Sequence, residues 1–245
     1  MTNKYMYFIG NWKMFGSLNS LNSLHNVVKF FKGFKKNKFI KIIYCPPSTL
    51  IRPMSKKLKN TRIEVGAQNC HENENYGAFT GSINPKMLKD VGAKYVIIGH
   101  SENRNSGESN KTINNKIKNV LKSGLKVIFC IGETLQEKKK KKTYQVLSKQ
   151  IKLGLNKVKN KKRIIIAYEP VWSIGTGLIP KSDELIKIIN FIKKELRNHK
   201  VLYGGSVNSK NINELKFIDN IDGFLIGGAS QDSKKFIDII KKTYN

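Results

Sequence analysis

Residues 163 to 177 read RIIIAYEPVWSIGTG. Ile164, Ile165, Ile166 and Ala167 form an unbroken apolar run, the pattern of a strand buried on both faces, as in a parallel sheet covered by helices. The run leads to a carboxylate, Glu169, where the strand emerges into its loop, and Pro170 stops the strand and holds Glu169 in extended or turn geometry. The loop carries Trp172 and Ile174 and closes on Gly175, Thr176 and Gly177 ahead of a helix beginning near Lys181. Large apolar groups between a proline hinge and a glycine hinge suggest a lid, a segment that closes over something and excludes water.

Outward from this stretch the same alternation repeats. Short apolar runs at Tyr5–Ile9, Phe39–Tyr44, Ile63–Ala67, Tyr95–Ile98, Lys126–Phe129, Val201–Tyr203 and Gly223–Ile226 join Ile164–Tyr168 to give eight strands. Between them lie amphipathic helical segments such as Ser20–Phe31, Thr112–Lys122, Thr143–Lys157, Asp183–Arg197 and Ser233–Lys241. Parallel strands need crossover helices, so the pattern predicts an α/β chain folded as a closed (β/α)8 barrel of eight parallel strands, each followed by a helix. The 245 residues suit one such domain, spanning 1–245, since the architecture takes about 250. Active sites of these barrels gather at the C-terminal strand ends, so each strand-end motif is a candidate.

Taken singly, most of those motifs have bland readings. Lys13 after the first strand reads as a surface charge, and His100 after the fourth as a structural histidine. Either glycine pair, Gly204-Gly205 or Gly227-Gly228, reads as a tight turn. Both pairs after the last two strands of a barrel instead point to a phosphate site, where backbone N–H groups meet an anion. The segment from Gln68 to Pro85 is too long for a routine connection and reads as functional or as an interaction element. His71 within it reads as an ordinary exposed histidine.

In order along the whole chain, GNWKM (10–14), GAFTG (77–81), IIGHSE (97–102), CIGE (130–133), AYEPVWSIGTG (167–177), YGGSV (203–207) and GFLIGGAS (223–230) resemble the signatures of the triosephosphate isomerase family. The resemblance implies interconversion of dihydroxyacetone phosphate and glyceraldehyde 3-phosphate through an enediolate, with no metal or organic cofactor. Glu169 is then the base beside the carbonyl, neutral His100 serves the substrate oxygens, and Asn11 and Lys13 stabilise the oxyanion. Glu102 is expected to hold Lys13 or the local backbone, and Cys130 to be a small buried neighbour of Glu169 rather than a nucleophile. Ser206, Gly227, Gly228 and the Gly175 amide are the expected phosphate donors. Pro170 and Trp172 belong to the lid, Tyr203 is expected to latch it, and Ile174 and Leu225 to flank Glu169 with apolar surface. The resemblance also implies a homodimer in which Thr80 approaches the neighbour's Asn11 and Lys13.

The chain departs from the family pattern at Phe15, usually Asn, and at Ser173, usually Ala. Two further departures form a pair. Ser82 stands where a glutamate is usual and Asn103 where that glutamate's arginine partner is usual, and losing both partners costs less than stranding one charge. With a connection after Arg104 that looks one residue short, an altered but present dimer interface is expected.

Composition sets the remaining bounds. The formal net charge is +29, from 46 basic and 17 acidic residues, and only Arg52, Arg62, Arg104, Arg163 and Arg197 among the basic ones are arginines. Lysines spread along the whole chain do not form the clustered, arginine-led surface of a sequence reader, so nucleic acid is not expected beyond non-specific charge. The run Lys138–Lys142 reads as a solvated, fraying helix start in preference to a polybasic patch. An odd set of cysteines, Cys45, Cys70 and Cys130, argues against a disulfide framework or zinc site and suits a reducing cytoplasm. No run approaches the about 20 apolar residues of a membrane span, and the N-terminal apolar run is too short for a secretory signal. The competing readings are another phosphate-binding barrel, which would not require this Asn-x-Lys, His and Glu set, and a polyanion-binding protein on a retained barrel.

Overall fold

The computed structural model describes residues 4–245. Eight strands, β1 (Met6–Asn11), β2 (Ile40–Cys45), β3 (Glu64–Ala67), β4 (Tyr95–Ile98), β5 (Lys126–Ile131), β6 (Ile164–Tyr168), β7 (Lys200–Tyr203) and β8 (Gly223–Ile226), pair in parallel in chain order. The barrel closes between β8 and β1, with Ile9 opposite both Ile43 and Leu225. These are the eight expected strands, with ends displaced by one or two residues at most.

The helices are α1 (Leu24–Gly33), α2 (Ser48–Leu58), α3 (Pro85–Asp90), α4 (Ser101–Asn105), α5 (Asn110–Lys122), α6 (Leu135–Lys139), α7 (Thr143–Gly154), α8 (Ser182–Glu195), α9 (Ile212–Leu215) and α10 (Ser233–Tyr244). The segment expected from Ser20 to Phe31 is split, a 3-10 turn over Asn19–Ser23 preceding α1. The polylysine run is not a helix start. Lys138 and Lys139 occupy the last turn of α6, where cations face the favourable end of the helix dipole, and α6 is anchored by a Thr134–Glu137 capping box. Only Lys142 reaches the start of α7, after a left-handed Lys141.

Strand alternation explains why β6 is apolar throughout. Ile164, Ile166 and Tyr168 pack outward in the layer shared with the helices, while Ile165 and Ala167 point into the barrel with Ile9, Ile43, Ile97, Ile128, Cys130, Leu202 and Leu225. Continuing the inward parity past each strand end leads from Ile9 to Asn11, from Ala167 to Glu169, from Leu202 to Gly204 and from Leu225 to Gly227. A two-residue period thus delivers four strand ends to one mouth. At the opposite end Asp222 is buried and tied to Lys193, Lys200 and the Val201 N–H. Among the described residues, no helix is long and apolar enough to cross a membrane.

Candidate active site

A cavity of about 260 Å³ opens at the C-terminal end of the barrel. Asn11, Lys13, His100 and Glu169 line it together with Gly175, Ser206, Gly227, Gly228, Ile174 and Leu225. Every residue expected to touch substrate within one chain is therefore in one place. Thr80 lies elsewhere, exposed in the loop after β3.

Lys13 adopts a left-handed backbone, φ 56°, an unfavourable conformation for a side-chain-bearing residue that the surroundings must enforce. Two contacts do so. Asn11 Oδ1 accepts the Lys13 N–H at 3.0 Å, and Gln68 Nε2 donates to the Lys13 carbonyl at 2.8 Å and to that of Cys45 at 2.9 Å. The Lys13 ammonium meets Glu102 Oε1 at 2.7 Å. Partial burial is the largest single influence and opposes ionisation of Glu102, but the bond from Lys13 and the electrostatic influence of His100 and Lys13 together outweigh it and hold the carboxyl below its ordinary value.

His100 caps α4, its Nδ1 accepting the Glu102 N–H at 3.3 Å. Accepting at Nδ1 leaves the proton of a neutral ring on Nε2. That nitrogen faces Glu169 Oε1 at 3.6 Å, beyond direct hydrogen bonding. Both side chains are about 95 % buried.

Glu169 is walled from several sides. Gly204 approaches so closely that a Cβ there would lie 2.7 Å from Glu169 Cγ. Ile174 and Leu225 line the cavity beside it, and Oε2 has no hydrogen-bond partner among the described residues. Beneath, burial first and then the neighbouring Glu169 carboxylate push the Cys130 thiol well above its ordinary value, which makes it a poor nucleophile. Arg104 supports this floor: it donates to the carbonyls of Gly99 (2.8 Å) and Cys130 (3.2 Å) and to Asn110 Oδ1 (2.9 Å).

The loop after β6, the expected lid, is tied at its base. Trp172 Nε1 donates to Glu133 Oε1 at 2.9 Å, the Tyr168 hydroxyl donates to the same carboxylate, and Lys138 Nζ sits 3.9 Å from the Trp172 ring centroid. Burial raises the Glu133 carboxyl above its usual range, although the Trp172 and Tyr168 bonds work the other way. Tyr203 reaches the hydroxyl of Ser173 at 3.0 Å. Gly175 and Gly177 have φ of 74° and 81°, a conformation glycine adopts freely at the far hinge.

Gln68 and Glu133 carry no functional role in the sequence pattern, and Gly204 figures there only as half of a phosphate-site glycine pair, not as the wall of Glu169. Gln68 and Gly204 both directly follow strands, the one available signal; the contacts of Glu133 with Tyr168 and Trp172 are fixed by tertiary packing. His71 is half-buried rather than simply exposed, packed on Phe79 with ring centroids 4.5 Å apart.

A family model described as triosephosphate isomerase matches residues 6–243. A triosephosphate isomerase of Thermodesulfovibrio yellowstonii is 41 % identical over 244 residues, covering 96 % of this chain and 98 % of that protein. One of Dictyoglomus turgidum is 43 % identical, with 94 % and 96 % covered. The crystal structure of triosephosphate isomerase from Bartonella henselae superposes with a TM-score of 0.89 at 34 % identity, covering 98 % of this chain and all of that one.

Proposed function

The chain belongs to the triosephosphate isomerase family, and from that premise we propose how its own residues divide the work. The reaction is the interconversion of dihydroxyacetone phosphate and D-glyceraldehyde 3-phosphate, an isomerisation of glycolysis and gluconeogenesis. Glu169 removes the proton from the carbon beside the carbonyl and returns it to the adjacent carbon. His100 donates from Nε2 to the substrate oxygens, and Lys13 and Asn11 stabilise the negative charge that develops there. The amides of Gly175, Ser206, Gly227 and Gly228 hold the phosphate.

The observation that carries this assignment is the pairing of Glu169 Oε1 with His100 Nε2 at 3.6 Å inside a cavity that Lys13 and the glycine-rich loops also line. A base and a donor face one another there, with the anion sites to one side. The lid keeps water from the enediolate, which would otherwise eliminate phosphate.

We also propose a homodimer formed around Thr80, acting in the cytoplasm. Apolar side chains left in solvent on the loops after β1 and β3 support the dimer: Met14 is 98 % exposed and Tyr76 73 %, with Phe15 and Phe79 also open. Three unpaired cysteines suit a reducing compartment. Binding to nucleic acid should be no more than salt-sensitive charge attraction.

The test is turnover of glyceraldehyde 3-phosphate across a protein dilution series, with oligomeric mass measured at each concentration. Robust turnover of a persistent dimer is expected, with Ser82 and Asn103 tolerated together. An intact dimer without isomerase activity would overturn the site assignment, and full activity of a monomer would overturn the role given to Thr80.

A further inference from the structure

Ser173 is fully buried at the base of the lid, and its hydroxyl meets three groups. It lies 2.6 Å from the Leu178 carbonyl, 3.0 Å from the Tyr203 hydroxyl and 3.2 Å from the Ser206 backbone nitrogen. A hydroxyl has one proton and two acceptor sites. The proton goes to the Leu178 carbonyl, and the oxygen accepts the Tyr203 O–H and the Ser206 N–H, so all its capacity is used. One atom therefore joins the near end of the lid to its far end, to β7 and to the loop beyond β7. Gly205 permits this approach, since a Cβ there would lie 2.6 Å from Ser173 Oγ.

The Ser206 N–H is one of the donors assigned above to the substrate phosphate, and the inference rests on that reading. Its single hydrogen cannot serve two acceptors well. We propose that Ser173 Oγ is an internal stand-in for the phosphate: it holds the Ser206 N–H until the anion takes it. Surrendering that bond releases the lid base from the loop after β7. Arrival of the phosphate and movement of the lid are thereby coupled through one hydroxyl, which weakens ground-state phosphate binding in exchange for a lid that responds to it. Alanine, the family's usual residue at this position, would leave the amide free.

Ser173→Ala tests this with inorganic phosphate as the probe. Removing one neutral acceptor from the competition should lower the Ki of phosphate about 2- to 10-fold. The KM for glyceraldehyde 3-phosphate should fall by a similar factor with kcat held, the pattern of uniform binding. Tyr203→Phe removes a different partner of the same hydroxyl and leaves the Ser173–Ser206 bond in place, so its phosphate Ki should not fall. An unchanged or raised Ki in Ser173→Ala, with its circular dichroism intact, would overturn the proposal, as would an equal shift in both variants, which would mean general loosening of the lid. Failure of phosphate to compete with substrate in the wild type would instead overturn the phosphate site itself.

Discussion

Gly204→Ala isolates the position of the proposed base without changing its chemistry. Gly204 is not among the residues with positive φ, so alanine brings no backbone strain, and its N–H bond to the Tyr168 carbonyl at 2.8 Å can persist. The added methyl would sit 2.7 Å from Glu169 Cγ, 3.1 Å from Oε1 and 3.2 Å from Leu225 Cβ. Carbon atoms pack at about 3.5–4.0 Å, so the carboxylate arm must retreat by about 1 Å. Displacement of that size at a reacting group costs on the order of 100-fold in rate. The assay is steady-state turnover of glyceraldehyde 3-phosphate beside a thermal melt. Gly228→Ala provides the contrast: its added Cβ meets nothing within 4 Å beyond its chain neighbours, and since Gly228 lines the cavity where phosphate is proposed to bind, the change should raise KM more than it lowers kcat. A folded Gly204→Ala enzyme whose kcat stays within about threefold of wild type would refute the claim that the carboxylate's position limits the reaction.

Asp222 supplies a pH prediction at the other end of the barrel. Burial opposes its ionisation, but Lys193, the Val201 N–H and Lys200 outweigh burial and hold the carboxyl below its ordinary value. The resulting stabilisation is fully present above the unfolded-state value of about 4 and is lost as pH falls through the depressed folded-state value. Asp222→Asn should cost about 1–3 kcal/mol at pH 7, and its gap from wild type in chemical unfolding should close below about pH 4; a gap independent of pH would sink the argument. The net charge of +29 predicts steering of the dianionic substrate, so kcat/KM should fall as ionic strength rises with ion type fixed. A flat profile would mean that the lysines do not assist encounter.

The architecture was legible because the physical signals were redundant. Strand β6 showed it most plainly: four apolar residues in succession, with no alternation, require cover on both faces, and the structure divides them between barrel interior and helical layer. Site residues were legible where they stood immediately beyond such strands. What escaped were the supports. Gln68 reads in sequence as part of an interaction loop, yet its amide helps fix the left-handed backbone of Lys13, and only the pairing of β2 with both β1 and β3 brings those groups within reach. The polylysine segment misled for a related reason: helix boundaries depend on caps, and the Thr134–Glu137 box placed a helix ahead of the run, making its lysines C-terminal to that helix rather than N-terminal to the next.

The charge distribution around the site clarifies why so basic a chain has so few charges where the chemistry is proposed. Lysines surround the barrel, yet the cavity is lined by one of them, Lys13, and that ammonium is engaged by Glu102 at 2.7 Å. In the proposed site backbone amides supply the rest of the anion binding, and they bring partial charge without the long flexible arm of a lysine. Among the described residues Glu169 makes no salt bridge to lysine or arginine, and its Oε2 lacks a hydrogen-bond partner. Such an oxygen is costly to bury, and it is an acceptor left free for a substrate proton. Pairing it with a lysine would stabilise the fold and occupy the very lone pair that the proposed proton transfer uses. The arrangement therefore spends stability at one oxygen and recovers it below, where Arg104 satisfies the carbonyls of Gly99 and Cys130 and apolar side chains fill the barrel.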